Sequence, residues 1–230
     1  MHIGLIGGIG PAATEFYYRN LVRLSVAAKR ELKLTIAHAH MPSLMQNIAA
    51  NAPDAQAKIF AGHAQQLKAA GAELLGVTSI AGHFCIDELA AISPMPIVNA
   101  ISELAAELTR RKLKRIGLLG TRIAMQSRLY GGLPALDVAL PQGANFDTVH
   151  NEYIGMATAG RASDSQRAAM FSIGAALCRE QGAQAVVLAG TDLFLAFDGR
   201  DCGFPVIDSA EVHINALFNA TAPAVSKGLS

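Results

Sequence analysis

The sequence predicts an α/β protein made of two pseudo-symmetric halves. Each half is built on a mainly parallel sheet, with a ligand cleft between them. Three observations carry this expectation. First, the chain repeats itself: Ile3-Gly4-Leu5-Ile6-Gly7 returns as Ile116-Gly117-Leu118-Leu119-Gly120, Ala70-Gly71-Ala72-Glu73 as Gln181-Gly182-Ala183-Gln184, and Pro96-Ile97-Val98-Asn99-Ala100 as Pro205-Val206-Ile207-Asp208-Ser209. The pairs keep their order and recur about 110 residues apart each time. Second, short apolar runs bounded by glycine or proline alternate with stretches of helical periodicity, the pattern of parallel strands joined by right-handed crossovers. Third, a glycine-containing loop follows the first apolar run of each half. Ligands of such sheets bind at the carboxyl ends of the strands.

Taken in order, strands are expected over residues 2–6, 34–39, 74–78 and 97–98, and again over 115–119, 145–149, 185–189 and 206–207. Continuous apolar runs of this kind suit strands covered on both faces. Helical spacing over 55–70 groups Ile59, Phe60, His63 and Leu67, and over 166–181 it groups Met170, Ile173, Leu177 and Cys178. Gly71 and Gly182 follow these stretches, where a helix commonly ends in a left-handed residue. The halves are expected at 1–105 and 106–215, with the last helix of the first half free to pack across. Residues 216–230 form a tail or helix returning to the first half.

Composition excludes several classes. The 230 residues carry a net charge of +1 without a basic block, so no nucleic-acid partner is expected. No apolar run reaches membrane-spanning length, and no charged segment precedes the first strand as in a signal peptide. A cytoplasmic location with no membrane partner is the expectation. Three cysteines, Cys85, Cys178 and Cys202, are odd in number and widely spaced, which fits neither a disulfide framework nor a zinc site. No metal site is expected; a grouping of His38, His40 and His83 is conceivable, but nothing in the spacing demands it. The low charged fraction, 16%, fits either surface buried between subunits or alanine-rich helices.

The segment Gly8-Ile9-Gly10-Pro11-Ala12-Ala13 satisfies the dinucleotide pattern G-x-G-x-x-G/A. That reading also needs an acidic residue at the end of the second strand, and the apolar run there ends in His40. Glu31 lies before the strand, at the wrong end. The loop moreover has a counterpart, Gly120-Thr121-Arg122-Ile123-Ala124. A small anionic ligand held between the halves fits better, bound through backbone N–H groups of Gly8, Ile9, Gly10 and Thr121. Sharp turns that only glycine allows are the alternative use of these residues.

Gly7-Gly8-Ile9-Gly10-Pro11 followed by Tyr17-Tyr18, then Leu119-Gly120-Thr121-Arg122, then Val206-Ile207-Asp208-Ser209 with His213, resembles the aspartate/glutamate racemase family. The resemblance runs over nearly the whole chain. It implies a homodimer acting on a small carboxylate or amino acid without a cofactor. Two acid/base groups stand on opposite faces of the substrate α-carbon, one removing a proton and the other returning one. In the family these are normally cysteine thiols. Their positions correspond here to Thr78, in Thr78-Ser79-Ile80, and to Gly190, in Ala189-Gly190-Thr191-Asp192. The ordinary two-thiol mechanism is therefore not expected, and the three cysteines present lie elsewhere. The lysine that binds the side-chain carboxylate in many aspartate-specific members corresponds to Ser163, with Arg161 nearby.

Any proton transfer must use other groups. Thr78, Asp192 and His83 are the catalytic candidates. Gly8, Ile9, Gly10, His40, Ser79, Thr121, Gly190 and Thr191 are the candidates for substrate contact. Histidine titrates near neutrality and needs the least tuning. A threonine hydroxyl is a poor base and suits binding or helix capping better. Two further readings stand beside a racemase: a small-carboxylate binding protein without turnover, and a decarboxylase, lyase or isomerase on the same scaffold.

Overall fold

The computed structural model describes residues 1–133 and 135–222. The first half runs β1 (His2–Gly7), α1 (Pro11–Ala27), β2 (Lys33–His38), α2 (Met41–Ala49), α3 (Pro53–Ala69), β3 (Leu74–Val77), a 3-10 turn (Ala81–Cys85), α4 (Ile86–Ile92) and α5 (Ala100–Arg110). The second runs β4 (Arg115–Gly120), α6 (Arg122–Gln126), β5 (Asp137–Ala139), α7 (Ala144–Ala159), α8 (Asp164–Arg179), β6 (Val186–Ala189), a 3-10 turn (Thr191–Leu193), α9 (Phe194–Phe197), β7 (Val206–Asp208) and α10 (Ser209–Ala220).

The sheets are parallel throughout, ordered β2-β1-β3 and β5-β4-β6-β7. A single parallel bridge from Leu75 to Ile97 puts a fourth segment where β7 lies in the second sheet. The two halves therefore share one strand order, which is the internal repeat in three dimensions. The recurring Ile-Gly-Leu motif has a packing reason. A Cβ on Gly4 would stand 3.1 Å from Leu67 Cβ in α3, and one on Gly117 would stand 3.0 Å from Leu177 Cβ in α8. The missing side chain lets each helix settle onto its central strand. Gly71 and Gly182 take left-handed backbone, φ 92° and 70°, and end α3 and α8 as expected.

Two expectations are corrected. Residues 145–149 are not a strand but the first turns of α7, and the strand of that position is the three-residue β5. Val149, Tyr153 and Met156 recur at helical spacing and are buried together, and this face outweighs the short polar-apolar alternation before it. In α3 the buried face is Ala57, Phe60, Ala61, Ala64 and Leu67, while Ile59 is exposed. Small alanines pack there against the sheet, so the stripe is rotated from the one the larger side chains suggest.

The final helices are exchanged. From the first half, α5 buries Ile101, Leu104 and Leu108 in a core shared with Ile116, Leu118 and Val187 of the second sheet. From the second, α10 buries Ile214, Leu217 and Phe218 with Ile3, Leu5 and Tyr17 of the first. Gly76 in β3 admits Leu217, whose methyls come within 3.0 Å of where its Cβ would be. Matching residues start the two helices: Asn99 accepts from the N–H groups of Ile101 and Ser102, and Asp208 from that of Ala210. No helix among the described residues is long and apolar enough to cross a membrane.

Candidate active site

The carboxyl ends of β1, β3, β4 and β6 face one another across the boundary between the halves and enclose a cavity of about 300 Å³. After β1 the chain turns through Gly8 and Gly10, both left-handed at φ 83° and 93°. Gly10 is glycine for a second reason, since a Cβ there would stand 2.7 Å from Asp192 Oδ2. Thr14 ties the turn together: its hydroxyl accepts from Gly8 N–H (2.9 Å), donates to the Gly10 carbonyl (3.2 Å) and lies 3.2 Å from Thr78 Oγ1.

Asp192 links the two halves. It follows β6 in the second 3-10 turn and is buried on the cavity wall. Its Oδ1 accepts from Ala13 N–H in the first turn of α1 (3.1 Å), and its Oδ2 accepts from the Tyr153 hydroxyl of α7 (3.3 Å). Burial raises the carboxyl to about 6, although both hydrogen bonds favour the charged form. Such a group changes protonation near neutral pH, as an acid/base catalyst should. The Tyr153 phenol is pushed well above its usual value by burial and by neighbouring Asp192, so it remains a donor.

Tyr153 also explains Gly190. A Cβ on Gly190 would lie 2.5 Å from Tyr153 Cε2 and 2.8 Å from Cζ. The phenol ring fills the place that a side chain at 190 would take. Gly190 has φ −166°, an extended backbone open to any residue, so the constraint is space alone.

The other candidates separate into two sets. Ile9, Gly10, Ser79, Thr121 and Asp192 line the cavity. Ser79 and Thr121 each accept a backbone N–H through the hydroxyl oxygen, from Gly82 (3.3 Å) and Ala124 (3.2 Å), which leaves each hydroxyl proton free to donate into the cavity. Gly8, His40, Thr78, His83, Gly190 and Thr191 stand off the lining. Gly8 packs on the His38 ring instead. His40 is exposed and bonded to Ser43 Oγ at 2.9 Å. Thr78 is fully enclosed beneath Ser79, its hydroxyl 3.3 Å from the Ile6 carbonyl. Thr191 is buried beside Asp192.

His83 belongs to a buried network behind the cavity. Its Nδ1–H donates to the Ser79 carbonyl (2.7 Å) and its Nε2 accepts from Ala100 N–H (3.1 Å). His213 donates from Nε2 to the Val98 carbonyl and accepts at Nδ1 from the Tyr17 hydroxyl, both at 2.8 Å. These partners set both tautomers and keep both rings neutral. Burial lowers His83 to about 4; burial and neighbouring His83 lower His213 to about 3. The cysteines lie off the lining, and burial pushes the Cys85 thiol up to about 12. Among the described residues no group of three or more His, Cys, Asp or Glu side chains is placed to hold a metal ion.

The rest of the wall went unseen in the sequence. Met41, Leu44, Met45 and Ile48 of α2 form one side, and Ile154 and Ala157 of α7 the other. Arg122 and His150 also reach the lining. Tyr153 sits in no motif, and its one sequence signal was its place in the apolar period of α7. The α2 wall follows His40 directly, at the carboxyl end of β2.

Two like α/β halves meet across a cleft with the buried Asp192 carboxyl on its wall. The model of the Asp/Glu/Hydantoin racemase family matches residues 6–217, and the chain belongs to this family. The chain is 26% identical to a candidate Asp/Glu racemase from Yersinia pestis, covering 96% of this chain and 99% of that one with a TM-score of 0.81. An aspartate racemase homologue from Pyrococcus horikoshii OT3 is also 26% identical, with coverage of 95% and 98% and a TM-score of 0.78. Glutamate racemase from Francisella tularensis, solved with D-glutamate, is 16% identical, with coverage of 95% and 80% and a TM-score of 0.65. That last likeness speaks to the fold alone.

Proposed function

We propose that the protein catalyses proton transfer at the α-carbon of a small carboxylate, an amino acid or close relative, with Asp192 as the acid/base group and no cofactor. One observation carries the reading: a buried carboxyl held near a pKa of 6, on the wall of the inter-half cavity, between an N–H of one half and a phenol of the other. The Ser79 and Thr121 hydroxyls, with backbone at Ile9 and Gly10, hold the substrate carboxylate. Thr78 and His83 support this surface from behind, through Thr14 and the Ser79 carbonyl. The protein works in the cytoplasm as a homodimer, as the family resemblance implies.

The site is asymmetric. Asp192 stands on one side of the substrate, and on the first-half side the Ser79 hydroxyl is the one side-chain group on the lining that carries an exchangeable proton. Hydroxyls are weak bases without an activating partner. A carbanion formed by Asp192 is therefore reprotonated mainly from the face it lost its proton to, and α-proton exchange outpaces inversion.

Proton NMR in D₂O over a panel of amino and hydroxy acids tests this. The expected result is loss of the α-proton signal without added cofactor, abolished in Asp192→Asn. Exchange that persists in that variant, or none across the panel, would refute the assignment. Size-exclusion chromatography with light scattering tests the dimer.

A further inference from the structure

We propose that the ligand of this cleft carries an apolar substituent on its α-carbon rather than the carboxylate side chain of aspartate or glutamate. The inference rests on the reading above for where the ligand sits and adds what its side chain must be.

Apolar surface leads the argument. Beyond the polar groups around Asp192, the cavity continues between α2 and α7, walled by Leu44, Met45, Ile48 and Ile154. Met41, Met45, Ile123 and Ile154 are 38%, 45%, 42% and 37% exposed. They are four of the ten large exposed apolar side chains among the described residues, and all four line this one cavity. Apolar surface grouped at a cavity marks a binding site more than a free surface. An aliphatic or aromatic substituent would cover it, and about 300 Å³ accommodates one of modest size.

Charge supports the same conclusion. Arg122 and His150 are the basic side chains on the lining. The Arg122 guanidinium is engaged: Nη2 lies 2.8 Å from Asp147 Oδ1, and Cζ stands 5.7 Å from the centre of the Phe146 ring. His150 accepts the Arg122 backbone N–H at Nδ1 (3.2 Å) and is kept neutral by burial and by the neighbouring arginine. Ser163, at the position corresponding to the family's lysine, caps α8 in a capping box, and Arg161 is exposed away from the lining. A second carboxylate would meet no unpaired cation and would face Asp192. Burying an unpaired charge carries a large penalty.

Titration calorimetry decides it independently of turnover, using alanine, norvaline, norleucine, methionine, aspartate and glutamate. Each added methylene should tighten binding about fourfold. Norleucine should bind at least roughly tenfold tighter than glutamate, of similar length. Glutamate binding as tightly as norleucine overturns the inference, and so does an affinity indifferent to chain length. No binding by any member overturns this inference, and the functional reading is then decided by the hydroxy acids of the exchange panel. Exchange in D₂O with aspartate and glutamate alone would overturn the inference and leave the functional reading intact. Asp147→Asn, at an exposed position, should free Arg122 and improve glutamate binding by up to roughly fivefold, with norleucine unchanged. An unchanged glutamate affinity in that variant would refute the argument from the engaged arginine.

Discussion

The fit of Tyr153 over Gly190 gives the sharpest test of how this site is built. Gly190→Ala adds one methyl at a point 2.5, 2.8 and 3.0 Å from three Tyr153 atoms. Both residues are buried, so the ring must move or the strand end must shift. Overpacking of this kind costs about 1–3 kcal/mol. Backbone strain adds nothing, because φ at Gly190 is −166°. Tyr153→Ala removes a ring that is 7% exposed, at a cost of about 3–5 kcal/mol. In that background the extra methyl at 190 meets open space, so its cost should vanish. Urea denaturation of the wild type, both single variants and the double variant gives the coupling. It should be favourable by about 1–3 kcal/mol. A Gly190→Ala cost that is the same with and without the ring would refute the claim that Tyr153 occupies the side-chain space at 190.

Tyr153→Phe keeps the ring and deletes the donor to Asp192; stability should change by about 1 kcal/mol, and the apparent pKa of activity should rise, read from a pH–rate profile. Asp192→Asn should lower α-proton exchange at least about 100-fold, while unchanged exchange would remove Asp192 from the chemistry. Gly10→Ala combines a left-handed backbone at φ 93° with a methyl 2.7 Å from Asp192 Oδ2, so it should lower both stability and exchange. The buried histidines set an acid limit. Between their folded values of about 4 and 3 and the unfolded value near 6.5, only the unfolded chain takes up protons, so their stabilising effect is full above that window and is lost as the pH falls through it. From pH 7 to pH 5 this loss amounts to about 2 kcal/mol per histidine. Asp192 and Asp208, raised by burial to about 6 and about 7, work in the opposite sense and offset most of it in the wild type. The histidine share is therefore read as the difference in pH dependence of urea denaturation between the wild type and a His83→Gln variant, and identical pH dependence in the two would refute the neutral network.

How far the sequence carried the fold depended on distance along the chain. Strands read well where the apolar run was long and ended at glycine, as at β1 and β4. They failed at β5, whose three residues are too few to stand out from the helix that follows. Asp192 was legible because it lies in the segment that resembles a catalytic motif, two residues past the glycine. Tyr153 was not, because its contact with Gly190 joins the middle of a helix to the end of a strand, and only packing sets that meeting. The α2 wall escaped notice for a related reason: Met41, Leu44, Met45 and Ile48 follow the ordinary spacing of a core-facing helix, yet Met41 and Met45 are left open to the cavity mouth.

The exchanged helices α5 and α10 bear on what the covalent link between the halves contributes. A chain nicked between Arg110 and Arg115 leaves each fragment holding the cover for the other fragment's sheet. Neither piece can shield its own strands from water alone, yet each presents the part its counterpart lacks. The pieces should therefore remain associated after proteolysis in that turn and reassemble when made separately. The connecting peptide then acts as a tether that raises the effective concentration of two mutually dependent partners.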